Sequence, residues 1–140
     1  MMVILIRHAE RLSSGDDPGL SAAGKRRAAL LTTMVADANV SAIFTSTFRR
    51  TKDTAAPLAQ KTGLTPQVIA DDTAQATTEI LGGGSCVVVI GHSDTVPEFI
   101  HALGGPADIE IEDEEFDRMF VVSVAPSGPV SLLQMRYVSV

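Results

Sequence analysis

The chain has 140 residues, the size of one ordinary domain and too short for a full α/β barrel or two sizeable domains. Apolar residues make up 45% and charged residues 20%, enough to build a core and too apolar for a disordered chain. The net charge of −6 speaks against a general nucleic-acid binder, which shows a net basic face.

The charge is unevenly placed. Residues 1–52 carry eight bases and only four acids (Glu10, Asp16, Asp17, Asp37), whereas residues 53–140 carry three bases and 13 acids. Seven of those acids fall in one window, Asp108, Glu110, Glu112, Asp113, Glu114, Glu115 and Asp117. The N-terminal third is therefore free to hold a small anion despite the overall sign. A single cysteine, Cys86, allows no internal disulfide and fits a reducing compartment or a buried structural thiol. The apolar run at the N-terminus ends at Arg7 and His8, well short of a signal peptide's apolar region. No stretch approaches a membrane span. A cytoplasmic protein with no membrane partner, built as a single domain over residues 1–140, is the expectation.

Met2 to Ile6 is a β-branched run suited to a strand buried on both faces of a parallel sheet. Glu10 to Gly19 is rich in Ser, Gly, Asp and Pro and reads as a loop. Ser21 is placed to cap a helix whose apolar residues recur at Ala28, Leu31, Val35 and Ala38. Val40 to Thr45 reads as a second strand, followed by a helix from Arg49 to Lys61 that Gly63 stops. Gln67 to Ala70 is a weak strand, and Thr73 to Leu81 a helix ended by three glycines. Cys86 to Ile90 is the strongest strand signal and ends at Gly91-His92. Glu98 to Leu103 reads as helical, with Pro97 near its first turn. Met119–Val124 and Val130–Met135 read as strands joined through the turn-rich loop Ala125 to Pro129. The alternation predicts an α/β three-layer sandwich. Its central sheet is mostly parallel, with helices on both faces and a C-terminal antiparallel hairpin.

Two apolar strands end in a histidine, at Ile6-Arg7-His8 and at Ile90-Gly91-His92, 84 residues apart. Ligands in open α/β sheets bind at the carboxyl ends of strands. If the first, second and fourth strands are neighbours, Arg7, His8, Arg50 and His92 share one pocket. Two guanidiniums and two imidazoles then make an oxyanion site, since arginine's planar fork suits phosphate. Taken singly, a histidine after a strand also serves as a hydrogen-bonded structural residue, and Arg49-Arg50 as a solvated helix face. A zinc site lacks any usual ligand spacing here, and the arginines would repel the cation.

Arg7-His8-Ala9-Glu10 resembles the signature of the histidine phosphatase superfamily, the phosphoglycerate mutase-like proteins. Three more segments resemble that family in the same order. These are Leu20-Ser21-Ala22-Ala23-Gly24, the run Ser46 to Ala55 with Arg50 on the family's arginine position, and Val89-Ile90-Gly91-His92-Ser93. The short length resembles the small bacterial branch that includes SixA-type phosphohistidine phosphatases. The resemblance implies a metal-independent phosphatase without a cofactor. His8 would be the catalytic nucleophile, forming a phosphohistidine. Arg7, Arg50 and His92 would bind the phosphoryl oxygens, with His92 also catalytic. The implied partner is a phosphorylated small molecule or a phosphoprotein. The oligomeric state is not readable.

The proton donor departs from the family pattern. Larger members carry a Glu after the third strand, and Asp71, Asp72 and Glu79 lie near there without its context. Another branch places an Asp directly after the second His, where this chain has Ser93, with Asp94 one further on. Asp94 and Glu10 are the candidate donors. Asp94 reads equally as a helix cap, and Glu10 as a group that orients Arg7 or His8. The acidic window reads as a solvated loop, with a rim around the site as the alternative. His101 reads as a surface or packing residue. Absence of a lid ranks phosphatase above mutase. A phosphate-binding regulatory module without turnover and a phosphotransferase remain the competing readings.

Overall fold

Strands β1 (Met2–Arg7), β2 (Ala42–Thr45), β3 (Gln67–Val68), β4 (Cys86–Gly91), β5 (Arg118–Ser123) and β6 (Ser131–Arg136) form one sheet in the order β3-β2-β4-β1-β5-β6. The computed structural model describes residues 1–138. β1, β2, β3 and β4 pair in parallel, whereas β5 runs antiparallel to both β1 and β6. Among the described residues four helices flank the sheet: α1 (Ala22–Val35), α2 (Arg49–Thr62), α3 (Thr73–Leu81) and α4 (Thr95–Ala102).

The side-chain alternation of the strands decides the layers. Val3, Leu5, Phe44, Val87, Val89, Phe120 and Val122 pack with α3 and α4 on one face. Ile4, Ile6, Ile43, Val88, Ile90 and Met119 pack with α1 and α2 on the other. Because both faces are covered, the central strands are apolar at every position rather than at alternate ones. The architecture is thus the expected α/β sandwich with an antiparallel C-terminal pair.

Several boundaries differ from the sequence reading. α1 ends at Val35, so Ala38 lies beyond it, in a turn where its N–H donates to the Val35 carbonyl. Asn39 then takes a left-handed φ of 56°, a conformation asparagine tolerates better than most. α4 begins three residues earlier than Glu98, which puts Pro97 inside its first turn, where a missing N–H costs nothing. α2 runs through Pro57 and stops at Gly63 in the left-handed conformation. β3 shrinks to two exposed residues, in keeping with a weak edge strand.

The connections create the site. α1 leaves β1 toward one face, and α4 leaves β4 toward the opposite face. β1 and β4 are nevertheless neighbours, in register from Met2↔Cys86 to Arg7↔Gly91. Neighbouring strands whose outgoing chains part to opposite faces open a crevice at their carboxyl ends. His8 and His92 stand at that crevice, and the His8 N–H donates to the Gly91 carbonyl at 2.8 Å. β2 pairs with the other edge of β4, Thr45 opposite Ile90, which delivers Ser46 and the start of α2 to the same rim.

Candidate active site

His8 is buried, and its imidazole stands 5.3 Å from that of His92, centroid to centroid, edge to face. Its Nδ1 lies 2.7 Å from the Ala9 carbonyl oxygen. A carbonyl can only accept, so Nδ1 carries the proton and Nε2 keeps its lone pair in the neutral ring. Burial pushes the His8 pKa down to about 4; the Ala9 carbonyl opposes the shift, and the charges of Arg7, His92 and Arg50 add to it. The ring is neutral at pH 7, with one basic nitrogen defined by a backbone contact.

Arg7 is clamped from behind. Its Nη1 donates to the carbonyls of Glu112 (3.2 Å), Asp113 (2.8 Å) and Glu115 (2.9 Å), and its guanidinium lies 4.0 Å from the centre of the Phe116 ring. The acidic window therefore reaches the site through its backbone. Its Glu112, Asp113 and Glu114 side chains stay exposed, so the solvated-loop and rim readings each hold in part. Glu115 ties the window down, accepting from the Glu112 N–H and pairing with Arg118 and Arg136.

Arg50 is held against Phe48, 4.4 Å from its ring centre, with Nη2 3.5 Å from His92 Nδ1. The Nε atoms of Arg7 and Arg50 are both buried without a hydrogen-bond partner. Buried donors normally find an acceptor. Two such cationic donors beside a pair of imidazoles suit an anion with several oxygens. Burial is the leading cause that lowers both arginine pKa values.

His92 is positioned by hydroxyls. Its Nε2 lies 2.8 Å from Ser46 Oγ and its Nδ1 3.5 Å from Arg50 Nη2; a hydroxyl can donate to Nε2 as well as accept from it, which leaves Nδ1 able to carry a proton toward an anion. Ser46 Oγ also meets Thr51 Oγ1 at 3.0 Å and accepts from the Phe48 N–H at 3.3 Å. Thr51 Oγ1 in turn donates to the Phe48 carbonyl at 2.8 Å. Burial, then the Arg50 charge, lowers the His92 pKa; Asp94 acts against them.

The two candidate donors are each engaged elsewhere by a hydrogen bond. Glu10 forms a two-pronged pair with Arg27, at 2.8 and 3.0 Å. Its pKa is lowered because the Arg27 bonds and charge outweigh the opposing effect of burial. A carboxyl held ionised and engaged in this way is poorly suited to give up a proton. Asp94 is exposed and caps α4, accepting from the adjacent Thr95 N–H at 3.0 Å. His101 is exposed, with Nδ1 3.3 Å from the Gly105 carbonyl. Cys86 is buried, and burial raises its thiol pKa. Among the described residues no cluster of three His, Cys, Asp or Glu side chains could hold a metal ion.

The family model of the histidine phosphatase superfamily (branch 1) matches residues 3–73. The chain belongs to the histidine phosphatase superfamily. No curated protein matches its sequence. Among solved structures it is similar to the protein histidine phosphatase SixA complexed with tungstate, at 18% identity and a TM-score of 0.78 over 97% of each chain. It is also similar to a putative phosphohistidine phosphatase SixA from Agrobacterium tumefaciens, at 18% identity and a TM-score of 0.71 over 97% of each chain. The alpha-ribazole phosphatase from Shigella flexneri gives 16% identity and a TM-score of 0.74, over 98% of this chain and 96% of that one. At such identities these likenesses concern the fold.

The superfamily's short motifs acquire physical reasons in this chain. Ser21 Oγ caps α1 by accepting from the Gly24 N–H at 3.1 Å. A side chain on Gly24 would collide with the carbonyl of Glu10, so glycine lets α1 pack against the loop that follows His8. Thr54 Oγ1 accepts from the Ala9 N–H at 2.9 Å and donates to the Arg50 carbonyl at 2.7 Å. It joins the loop after β1 to α2, which carries Arg50. Sequence reasoning assigned no role to Thr51, Thr54 or Ser46, although the motif run from Ser46 to Ala55 contains all three. Phe116 and Arg27 carry no local signal, since both act through contacts distant in sequence.

Proposed function

We propose that this superfamily member is a phosphatase that works through a phosphohistidine on His8, without a metal or cofactor. The supporting observation is the His8 ring itself: neutral, with Nδ1 committed to Ala9 and Nε2 free beside two arginines whose buried Nε donors lack partners. In the first step the Nε2 lone pair forms the N–P bond as the P–O or P–N bond to the leaving group breaks. Arg7, Arg50 and His92 hold the remaining phosphoryl oxygens and offset their charge in flight. In the second step water attacks phosphorus, the N–P bond breaks, and phosphate and neutral His8 are released.

The substrate is proposed to be a phosphomonoester or a phosphohistidine protein. The printed names of the structural neighbours, a protein histidine phosphatase and an alpha-ribazole phosphatase, support that class. The experiment is a base quench during turnover of radiolabelled substrate. Wild type is expected to carry an acid-labile, base-stable phosphoryl group that His8→Ala lacks. Normal turnover by His8→Ala would end the nucleophile assignment.

The engagement of Glu10 with Arg27 and the exposure of Asp94 favour one second reading, a phosphate-binding module with little turnover. Binding needs the arginines, whereas hydrolysis of alkyl esters needs a proton source. Phosphate binding seen by calorimetry, without any turnover of aryl or phosphohistidine substrates, would select it. A phosphotransferase or mutase would instead pass the label to an added acceptor alcohol.

A further inference from the structure

Two hollows flank the proposed phosphate centre, and they differ in chemistry. The wider one, about 580 Å³, is lined by Arg7, Glu10, Arg11, Asp113, Glu114 and Phe116, among others, and is mostly charged. The narrower one, about 100 Å³, lies on the His92 side between the ends of β2, β3 and β4. Phe48, Ile69, Ala70 and Phe99 make its apolar walls, and Asp71 and Thr73 stand among its polar ones. No Lys or Arg lines it.

Phe48 adds a second, independent observation. It remains 43% exposed, yet its ring is fixed, edge to face with His92 at 5.2 Å and under the Arg50 guanidinium. A rigid, half-exposed aromatic beside two phosphate-binding groups is a ready contact for a second ring. The volume suits one ring better than a sugar. The exposed carboxylate of Asp71 would repel a second phosphate and accept from a ring N–H or hydroxyl.

We infer that this narrow hollow is the leaving-group subsite, and that it selects a phosphate carried on a single planar ring, an aryl or imidazolyl group, over sugar or polyanionic alkyl phosphates. The inference rests on the phosphate-binding reading of His8, Arg7, Arg50 and His92. Ring burial against Phe48, Ile69 and Phe99 supplies the preference, because apolar area leaves water there.

The test measures binding by calorimetry with two non-hydrolysable probes, phenylphosphonate and methylphosphonate. Phenylphosphonate is expected to bind wild type about tenfold more tightly, about 1.4 kcal/mol. In Phe48→Ala, which removes the platform, and in Ala70→Leu, which fills the hollow, the ratio is expected to fall toward one. Phe48 is exposed enough for its truncation to leave the fold intact. Equal affinities in wild type, or a ratio unchanged in both variants, would overturn the subsite while leaving the phosphate site standing. Failure of both probes to bind wild type would overturn the phosphate site itself. Turnover of p-nitrophenyl phosphate and of a phosphohistidine peptide tells a free aryl ester from a protein-borne ring by the larger kcat/KM. Insensitivity of both to Phe48→Ala also overturns the inference.

Discussion

The Nδ1–H of His8 donates to the carbonyl oxygen of Ala9, its immediate neighbour in the chain, at 2.7 Å. One backbone contact thus fixes both the tautomer and the orientation of the proposed nucleophile. The same burial that makes the contact dry also keeps the ring neutral, and this has measurable consequences for pH.

The His8 pKa in the folded chain, about 4, lies below the roughly 6.5 of an unfolded histidine. Between those values the unfolded chain binds the proton that the folded site refuses. Stability therefore rises with pH across this window. The contribution is complete above about pH 6.5 and is lost as pH falls toward 4. An NMR titration of the His8 ring is expected to give a midpoint far below 6.5. The urea midpoint is expected to fall between pH 6.5 and 4, with a shallower slope in His8→Gln. A His8 midpoint near 6.5 would contradict the buried neutral ring.

Arg49 and Arg50 are adjacent in sequence and differ in surroundings. Arg49 is a surface residue whose side chain pairs with Asp53 at 3.4 Å, one helical turn on. Arg50 turns inward with a buried, unpartnered Nε. Losing a charge-assisted bond to a phosphoryl oxygen costs about 1.5–3 kcal/mol, roughly one to two orders of magnitude in rate. Arg50→Ala is expected to lose that much in kcat/KM, and Arg49→Ala less than threefold. Equal losses would mean that the wrong arginine has been assigned.

In the proposed mechanism Arg7 and Arg50 supply fixed positive charge where a metal-dependent phosphatase uses a cation. Turnover is accordingly expected to persist in excess EDTA. Vanadate, which mimics five-coordinate phosphorus, is expected to inhibit. Inactivation by EDTA with recovery on added zinc would be the contrary result.

Asp94 caps α4 through the Thr95 N–H, and asparagine caps about as well as aspartate. Asp94→Asn therefore separates capping from proton transfer. If Asp94 gives the leaving group its proton, alkyl phosphate turnover is expected to fall by about 10²–10⁴, while aryl phosphate turnover stays nearly intact. Equal, small effects on both substrates would leave Asp94 as a cap alone. Glu10→Gln, which weakens the pair with Arg27, is expected to lower thermal stability without changing the alkyl-to-aryl ratio. A selective loss on alkyl esters would make Glu10 the donor instead.

The sequence by itself determined the layering and the ends of the central strands. Apolar runs such as Met2–Ile6 and Cys86–Ile90 suit a sheet covered on both faces, and the first stops at Arg7 and the second at Gly91-His92. It also determined which histidines and arginine to watch, because the motif spacing places His8, Arg50 and His92 just beyond strand ends. Weak local signals left boundaries open where tertiary contacts dominate, as at the end of β3, whose two residues pair only with the edge of β2, and at the start of α4. Only the tertiary structure decided the rest. Pairing β1 with β4 brought together two imidazoles that no local pattern relates. The carbonyls of residues 112, 113 and 115 became the partners of Arg7 across more than 100 positions of chain. Arg27 became the partner of Glu10, and Phe48 came to stand beside His92. Strand patterns are local because burial alternates residue by residue, whereas the partner of a charge or a ring depends on which segments the fold sets side by side.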